Sequence, residues 1–429
     1  MGKIYLNEII KSGSNVKYDF SVSDDIKHLF TDEGFSIEYP ESIESVPNAV
    51  LAVPFVASAV LIAWMTGSEL FVKELDKDFC ECLPNVKAGL AEMYPAANFG
   101  GKLVVENSVS CRPTLQSNSG VFFSGGLDAT TTLLRHLSEK PYLISLWGAD
   151  VDYYNDEGWQ TVETGLQEVA AAYDLKLLCV HTKFRIFDNA EALSKEFKPQ
   201  LKSTWWYAVK HGIGIISHAA PLVWLHGFKN LYMASSNCPE DGGAPCASEP
   251  RVDNRIKFCG SDVFHDAFEL NRQKKAAYIC RFHHENPEIP IKLRVCWKSD
   301  DGSNCCSCEK CYRTMANLWA EGDDPKDFGF DYSEDALERM YQFMALRCTD
   351  LARNSWSYMK ERLIENWDAL QDKPYRDDLE WIKTFNFRDL GSNECRRKYQ
   401  STWKYKAILV KIFPHLYKLY VKKRGYKYE

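Results

Sequence analysis

Residues 120–136 (GVFFSGGLDATTTLLRH) set a serine, two glycines and an aspartate between an apolar run and the start of a helix. Val121, Phe122 and Phe123 have strand length; Ser124, Gly125 and Gly126 break the run. Asp128 and Thr130 to Thr132 stand where a helix begins, and Leu133 and Leu134 give it an apolar face. Such a junction makes an anion site. Glycine lets the backbone approach a ligand, successive N–H groups point into the concavity, and the positive end of the helix dipole attracts phosphate. No Gly-Lys-Ser/Thr follows, so the run is not the Walker pattern.

A second group of residues suits a metal. Cys296, Cys305, Cys308 and Cys311 fall in the stretch CWKSDDGSNCCSCEKC. Two Cys-X-X-Cys steps share Cys308 and form a knuckle, and Cys296, at the end of the apolar run IKLRVC, completes a tetrahedron suited to zinc. Three cysteines at this spacing also match an iron–sulfur ligand run, which is the alternative. Cys306 is the odd thiol, either spare or a substitute for Cys305. The chain has fifteen cysteines and opens without an apolar signal segment (MGKIYLNEIIKSG). That combination points to a reducing compartment, and a cytoplasmic location is expected.

Ser-Gly-Gly-X-Asp after an apolar strand resembles the pyrophosphate-binding loop of the PP-loop ATP pyrophosphatases. With the cysteine knuckle, the chain resembles their 7-cyano-7-deazaguanine synthase branch over about residues 117–321. Tyr232 to Asn237 (YMASSN) is similar to that family's fourth strand and the turn after it. Pro245 to Asp253 (PCASEPRVD) falls at its substrate loop, Lys274 or Lys275 resembles its helix-start lysine, and Arg313 has a counterpart after the knuckle. Two departures stand out: Ala129 replaces the usual Ser or Thr after the aspartate, and Cys246 is followed by Ala247 and Ser248 rather than an arginine.

The resemblance implies an ATP-dependent, AMP-forming ligase that adenylates a carboxylate-type substrate and transfers ammonia to it, with ATP, Mg2+ and Zn2+ as cofactors. Ser124, Gly125, Gly126, Leu127, Asp128 and Thr130 would surround the phosphates, with Asp128 positioning the loop or a magnesium ion. Trp147, Gly148 and Asp150 would lie near the adenosine, and Ser235, Ser236 and Asn237 would face the reacting carboxylate. Lys275 or Arg313 would neutralise developing phosphate charge, completing a catalytic set with Asp128. The acceptor class is a small-molecule or modified-base carboxylate. No amidotransferase nucleophile is visible in the first hundred residues, so ammonia is expected from another source. Two other readings stand beside this one: a sulfur-transfer enzyme acting on tRNA with an iron–sulfur cluster, and a nucleotide-binding sensor without turnover.

Positioning these residues calls for an α/β fold. The expected architecture is a parallel-sheet PP-loop domain, adenine nucleotide alpha hydrolase-like, with a zinc knuckle at residues 113–325. A small α+β domain precedes it at 1–112, and a helical C-terminal region follows at 326–429. The first domain shows short strands at Ile4 to Leu6, Ser36 to Tyr39 and Gly101 to Val105, with the junction at about 107–117. Beyond it come a strand at Tyr142 to Trp147, a helix at Trp159 to Ala172, a strand at Leu175 to His181 and helical material from Thr204 to Phe228. In such sheets ligands collect at the carboxyl ends of the strands. The uncharged run Ala49 to Met65 contains Pro54 and reads as domain core rather than a membrane span: a strand ending near Pro54, a helix through Trp64 and a strand at Glu69 to Val72.

Other conspicuous residues read as structural. His211, His218 and His226 fall at seven- and eight-residue intervals in an apolar helical region and suit core or surface positions better than a metal. Trp205 and Trp206 suit packing, and Asp150 and Asp152 suit a cap on the next helix. At 429 residues, 45% apolar and 26% charged, the composition is that of a globular protein of two or three domains. The end of the chain differs: from Arg396 to Glu429 eleven Lys or Arg stand against one acidic residue, interleaved with Tyr, Trp and Phe. This segment suits a membrane surface, an acidic partner, RNA, or the acidic body of its own protein. A homo-oligomer is also compatible with the sequence.

Overall fold

The computed structural model describes residues 2–116, 118–242, 245–346 and 353–387. The basic tail from Arg396 onward lies outside the described residues, and with it the membrane, acidic-partner and RNA expectations. The chain divides into two compact units, Met1–Glu269 and Leu270–Glu429. The junction read at 107–117 therefore runs inside the first unit, and the cysteine knuckle belongs to the second.

The first unit is α/β. Its elements run β1 (Lys3–Ser12), β2 (Asn15–Val22), β3 (Phe35–Glu38), α1 (Asn48–Thr66), β4 (Glu69–Asp76), α2 (Lys77–Met93), β5 (Lys102–Val109), β6 (Ser119–Phe122), α3 (Leu127–Arg135), β7 (Tyr142–Trp147), α4 (Asp156–Ala172), β8 (Leu177–Thr182), α5 (Ala190–Leu201), α6 (His211–Ile216), α7 (Ala220–His226), β9 (Asn230–Ala234), α8 (Pro250–Asp253), β10 (Lys257–Phe258) and β11 (Ser261–Asp266). The strands form one 11-stranded sheet in the order β10-β11-β9-β6-β7-β8-β3-β2-β1-β4-β5. It is parallel from β11 to β8 and from β1 to β5. It turns antiparallel where β8, β3, β2 and β1 succeed one another and where β10 closes the edge.

The N-terminal strands thus extend the sheet that carries the glycine loop rather than forming a sheet of their own. The join is the antiparallel pair β3–β8, which sets Ile37 opposite Thr182 and Glu38 opposite His181. A shared core explains it. Phe35 on β3 packs on Phe187, in the loop after β8, at 4.8 Å between ring centroids, and on Phe55 of α1 at 5.9 Å. Fully burying one such side chain contributes about 1.5–3 kcal/mol.

Helix α1 corrects one expectation, because it runs unbroken through Pro54 where a strand had been read. Every residue from Ala49 to Met65 is buried. With Ser58 as its one polar residue, the run has no period to read, and periodicity alone cannot separate strand from helix in it. Pro47 occupies the N-cap, and Gly67, at φ +71°, donates its N–H to Ala63 O and ends the helix. The helix is long and apolar enough to cross a membrane, yet it packs against β1, β4 and β5 and against α6 and α7.

The second unit is helical among its described residues: α9 (Arg272–Glu285), α10 (Glu309–Glu321), α11 (Ala336–Leu346), α12 (Arg353–Glu365) and α13 (Glu380–Thr384). Between α9 and α10, Gln273 Nε2–H donates to the backbone oxygen of Asn317 and Gln273 Oε1 accepts from Asn317 Nδ2–H, and Arg362 of α12 forms an ion pair with Glu321 at 2.8 Å. Cys296 is reached by an irregular segment tied down where Leu293 N–H donates to Phe328 O at 2.9 Å.

Candidate functional site

Five parallel strands of the first unit lie in the order β11-β9-β6-β7-β8. From β6 the chain builds outward through β7 and β8, then returns to the other side of β6 with β9 and β11. The strand order reverses between β6 and β9, which makes this the topological switch point, where a crevice opens beyond the carboxyl ends of the strands. The Ser-Gly-Gly-Leu-Asp loop leaves β6 at that place.

The loop is shaped by its glycines. Phe123 N–H extends the ladder by donating to Ile144 O at 2.8 Å, and Gly125 then takes φ +74°, a conformation that favours glycine. Gly126 is the N-cap of α3, and no side chain caps the helix there. Thr130 N–H closes the first turn on Gly126 O at 2.8 Å. The first-turn N–H groups of Leu127, Asp128 and Ala129 have no i−4 acceptor inside the helix, so this end presents donors and positive dipole together. Leu127, Leu133 and Leu134 are buried and hold α3 down; Ser124, Gly126 and Asp128 are half-buried. Thr130 is 4% exposed, and its hydroxyl has no hydrogen-bond partner among the described residues.

Trp147 ends β7. Its ring stacks on Trp159 at 5.5 Å and on His181 at 3.6 Å, and its Nε1–H donates to Asp152 O at 2.9 Å. Burial pushes His181 below its ordinary value, so the stack is neutral. Gly148 follows at φ +98°, and a Cβ there would stand 2.0 Å from Thr182 O. The side chain that caps α4 is Asn155, accepting from Gly158 N–H at 3.0 Å. Asp150 and Asp152, expected as caps, lie too early: Asp150 is exposed and Asp152 accepts from Tyr154 N–H instead. At the end of β9, Ser235 is fully buried, its N–H bound to Asp266 O and its hydroxyl to Asn237 O. Ser236 is exposed, and Asn237 donates to Tyr207 Oη at 3.2 Å.

The segment 245–253 gathers groups whose association the sequence does not announce. Cys246, 2% exposed, lies 3.7 Å from His211 Nδ1, and burial holds its thiol up to about 12, so it is protonated at neutral pH. Asp253 Oδ2 accepts from Ser248 Oγ at 2.7 Å and pairs with His265 Nδ1 at 2.8 Å. His265 gave no signal in the sequence, since its partner is twelve residues away on another element. The other two of the three spaced histidines are structural: His218 is fully buried with both ring nitrogens bonded, and His226 pairs with Glu41 at 3.3 Å. Trp205 is fully buried in the core, and Trp206 packs against Arg185 at 4.2 Å.

In the second unit Lys275, one turn into α9, is 1% exposed, whereas the neighbouring Lys274 is exposed. Arg313 on α10 is half-buried, 3.5 Å from Glu309, which also accepts from Trp356 Nε1–H at 2.9 Å. The sulfurs of Cys296, Cys305, Cys308 and Cys311 all lie within 4.8 Å of one another. Cys296 and Cys308 are 3.9 Å apart, as are Cys305 and Cys311. A tetrahedral ion with metal–sulfur bonds of about 2.3 Å needs sulfurs roughly 3.8 Å apart. The set therefore fits a single metal ion such as zinc; a polynuclear iron–sulfur cluster spreads its thiolates over several irons and needs wider spacing. Lys298 N–H and Cys311 N–H each approach a ligand sulfur at 3.4 Å, which stabilises thiolate charge. Cys305, not Cys306, is the fourth member of the set. Cys306, at φ +48°, turns away and contacts Asn304 O. No protein-family model matches this chain, and no curated protein matches it either.

Proposed function

We propose that this chain is an ATP-dependent, AMP-forming ligase of the PP-loop kind, adenylating a carboxylate and passing its acyl group to ammonia. The observation that carries the reading is the place of the Ser124–Asp128 loop, an uncapped helix start led by two glycines at the switch point of the parallel strands. Backbone N–H groups there suit the pyrophosphate end of ATP, with Ser124 and the buried Thr130 hydroxyl as side-chain donors. Asp128 would hold the loop or a magnesium ion, and Trp147 with Gly148 would border the adenosine. A carboxylate oxygen of the substrate attacks the α-phosphorus, the bond to the bridging oxygen breaks, and pyrophosphate leaves. Ammonia then attacks the acyl carbon, loses a proton and expels AMP, leaving an amide. Of the turn Ser235–Asn237, the exposed Ser236 is the residue this reading would set toward the carboxylate, since Ser235 is buried with its hydroxyl bonded to Asn237 O.

The four thiols support zinc as a structural ion of the second unit, and their close spacing weighs against the sulfur-transfer reading. Ala129, where a hydroxyl is usual, favours one other reading, a nucleotide-binding sensor without turnover. The test is product analysis with ATP, ammonium and a panel of carboxylates including modified bases. AMP and pyrophosphate in equal amounts support the ligase, and both should vanish in the Ser124→Ala, Asp128→Ala double variant. Binding of ATP without AMP on any acceptor would favour the sensor, and ADP with inorganic phosphate would contradict both.

A further inference from the structure

The two edges of the 11-stranded sheet are built differently. At one end β10 has only two residues. At the other, β5 has eight (KLVVENSV), contains no proline, and has no strand on its outer side among the described residues. A long open edge is a template for pairing, and proteins that leave one uncovered usually shorten, bend or block it. The face beside this edge is also partly apolar. Tyr5, Phe71 and Val104 lie side by side across β1, β4 and β5, the first two rings stacked at 4.7 Å, with Tyr5 38% and Val104 37% exposed.

We propose that β5 pairs antiparallel with β5 of a second copy of this chain, joining two sheets about a two-fold axis at Val104. The backbone parity sets which residues can meet. Lys102 N–H donates inward to Ser68 O at 2.9 Å, so Lys102, Val104 and Glu106 turn their backbone groups toward β4, while Leu103 and Val105 turn theirs outward. An antiparallel partner must bond to the outward groups. With the axis at Val104, Leu103 exchanges hydrogen bonds with Val105 of the second copy, and Val104 meets its own mate. Lys102 then faces Glu106 of the second copy, twice over.

Charge selects this register among those the parity allows. A slip in one direction sets Lys102 against Ser108, and in the other against Val104, with no opposite charge in either case. The favoured register also continues a pattern already present. Across the exposed face, Lys3, Glu69 and Lys102 form one row. Glu106 and Lys73 form another, in the register that sets Val72 against Val105 and Glu74 against Asn107. Joined at the axis, the rows read positive, negative, positive, negative, positive with no like charges adjacent. The apolar row becomes continuous in the same step, running from Tyr5 through both Val104 side chains to Tyr5 of the second copy, while Leu103 and Val105 cover one another on the core side.

Two measurements on the full chain test the pairing. In sedimentation velocity the wild type should show a concentration-dependent dimer, and Lys102→Glu should weaken it by about tenfold or more by opposing like charges. Lys102→Glu combined with Glu106→Lys should restore it, with circular dichroism confirming that each variant is folded. In mild oxidation Val104→Cys should form a covalent dimer, because facing Cα atoms at a non-hydrogen-bonded position lie within disulfide reach. Glu106→Cys, which faces Lys102 of the second copy, should not. A wild type that stays monomeric at every concentration, a dimer indifferent to Lys102→Glu, or equal cross-linking by the two cysteine variants would overturn the proposal.

Discussion

His218 links the core to a measurable dependence on pH. It is fully buried, its Nδ1 is 2.7 Å from Gly214 O, and its Nε2 is 2.9 Å from Thr182 Oγ1. The Thr182 hydroxyl accepts Phe184 N–H at 3.1 Å, so its own proton is directed to Nε2, and the ring is neutral with its proton on Nδ1. Burial lowers its pKa from 6.5 to about 3. The depressed value sets the sign: between pH 6.5 and 3 the unfolded chain carries a proton that the folded chain refuses, so stability is present above 6.5 and falls as pH falls. Each pH unit in that window costs about 1.4 kcal/mol, and lowering pH from 7 to 5 removes about 2 kcal/mol through this side chain alone. His218→Gln keeps an amide donor for Gly214 O and an acceptor for Thr182 while removing the titration. Urea unfolding of both proteins across pH 5–7, followed by tryptophan fluorescence, isolates the difference. Parallel stability profiles for wild type and variant would refute the neutral, buried assignment.

Other consequences follow from the same geometry. Cys305→Ser should lower metal content well below the wild-type stoichiometry, whereas Cys306→Ser should leave it unchanged, as read by elemental analysis; the opposite pattern would reassign the fourth ligand. Gly148→Ala should lower the thermal midpoint, because it combines a left-handed backbone with a Cβ 2.0 Å from a carbonyl oxygen. The cost is at least about 2 kcal/mol, and an unchanged midpoint in a thermal scan would show that the β7 turn is not held as described.

The parts of the fold that local chemistry dictates are legible in the sequence. The strand Tyr142 to Trp147 has the bounds read from its apolar run, and the glycine break at 124–126 leads into a helix because Leu127, Leu133 and Leu134 need a sheet to cover them. The cysteine spacing brings four sulfurs together because a knuckle closes over a few residues. What the sequence hides is non-local. Nothing near Ile37 announces that it will lie opposite Thr182, and that pairing merges the N-terminal strands into the larger sheet. Strand β2 is legible though absent from the reading: NVKYDFSV alternates polar and apolar residues, and its apolar side chains are the buried or half-buried ones. The contact of Cys246 with His211 spans thirty-five positions, and the spacing of the histidines carries no trace of it.

Calorimetric titration of the full chain with ATP and magnesium tests, without knowledge of the acceptor, whether the Ser124–Asp128 loop binds the phosphates of ATP. Phosphate binding at this loop requires saturable one-to-one binding by the wild type, weakened by about tenfold or more in the Ser124→Ala, Asp128→Ala double variant. Binding undiminished by that change, or no binding at all, would contradict it.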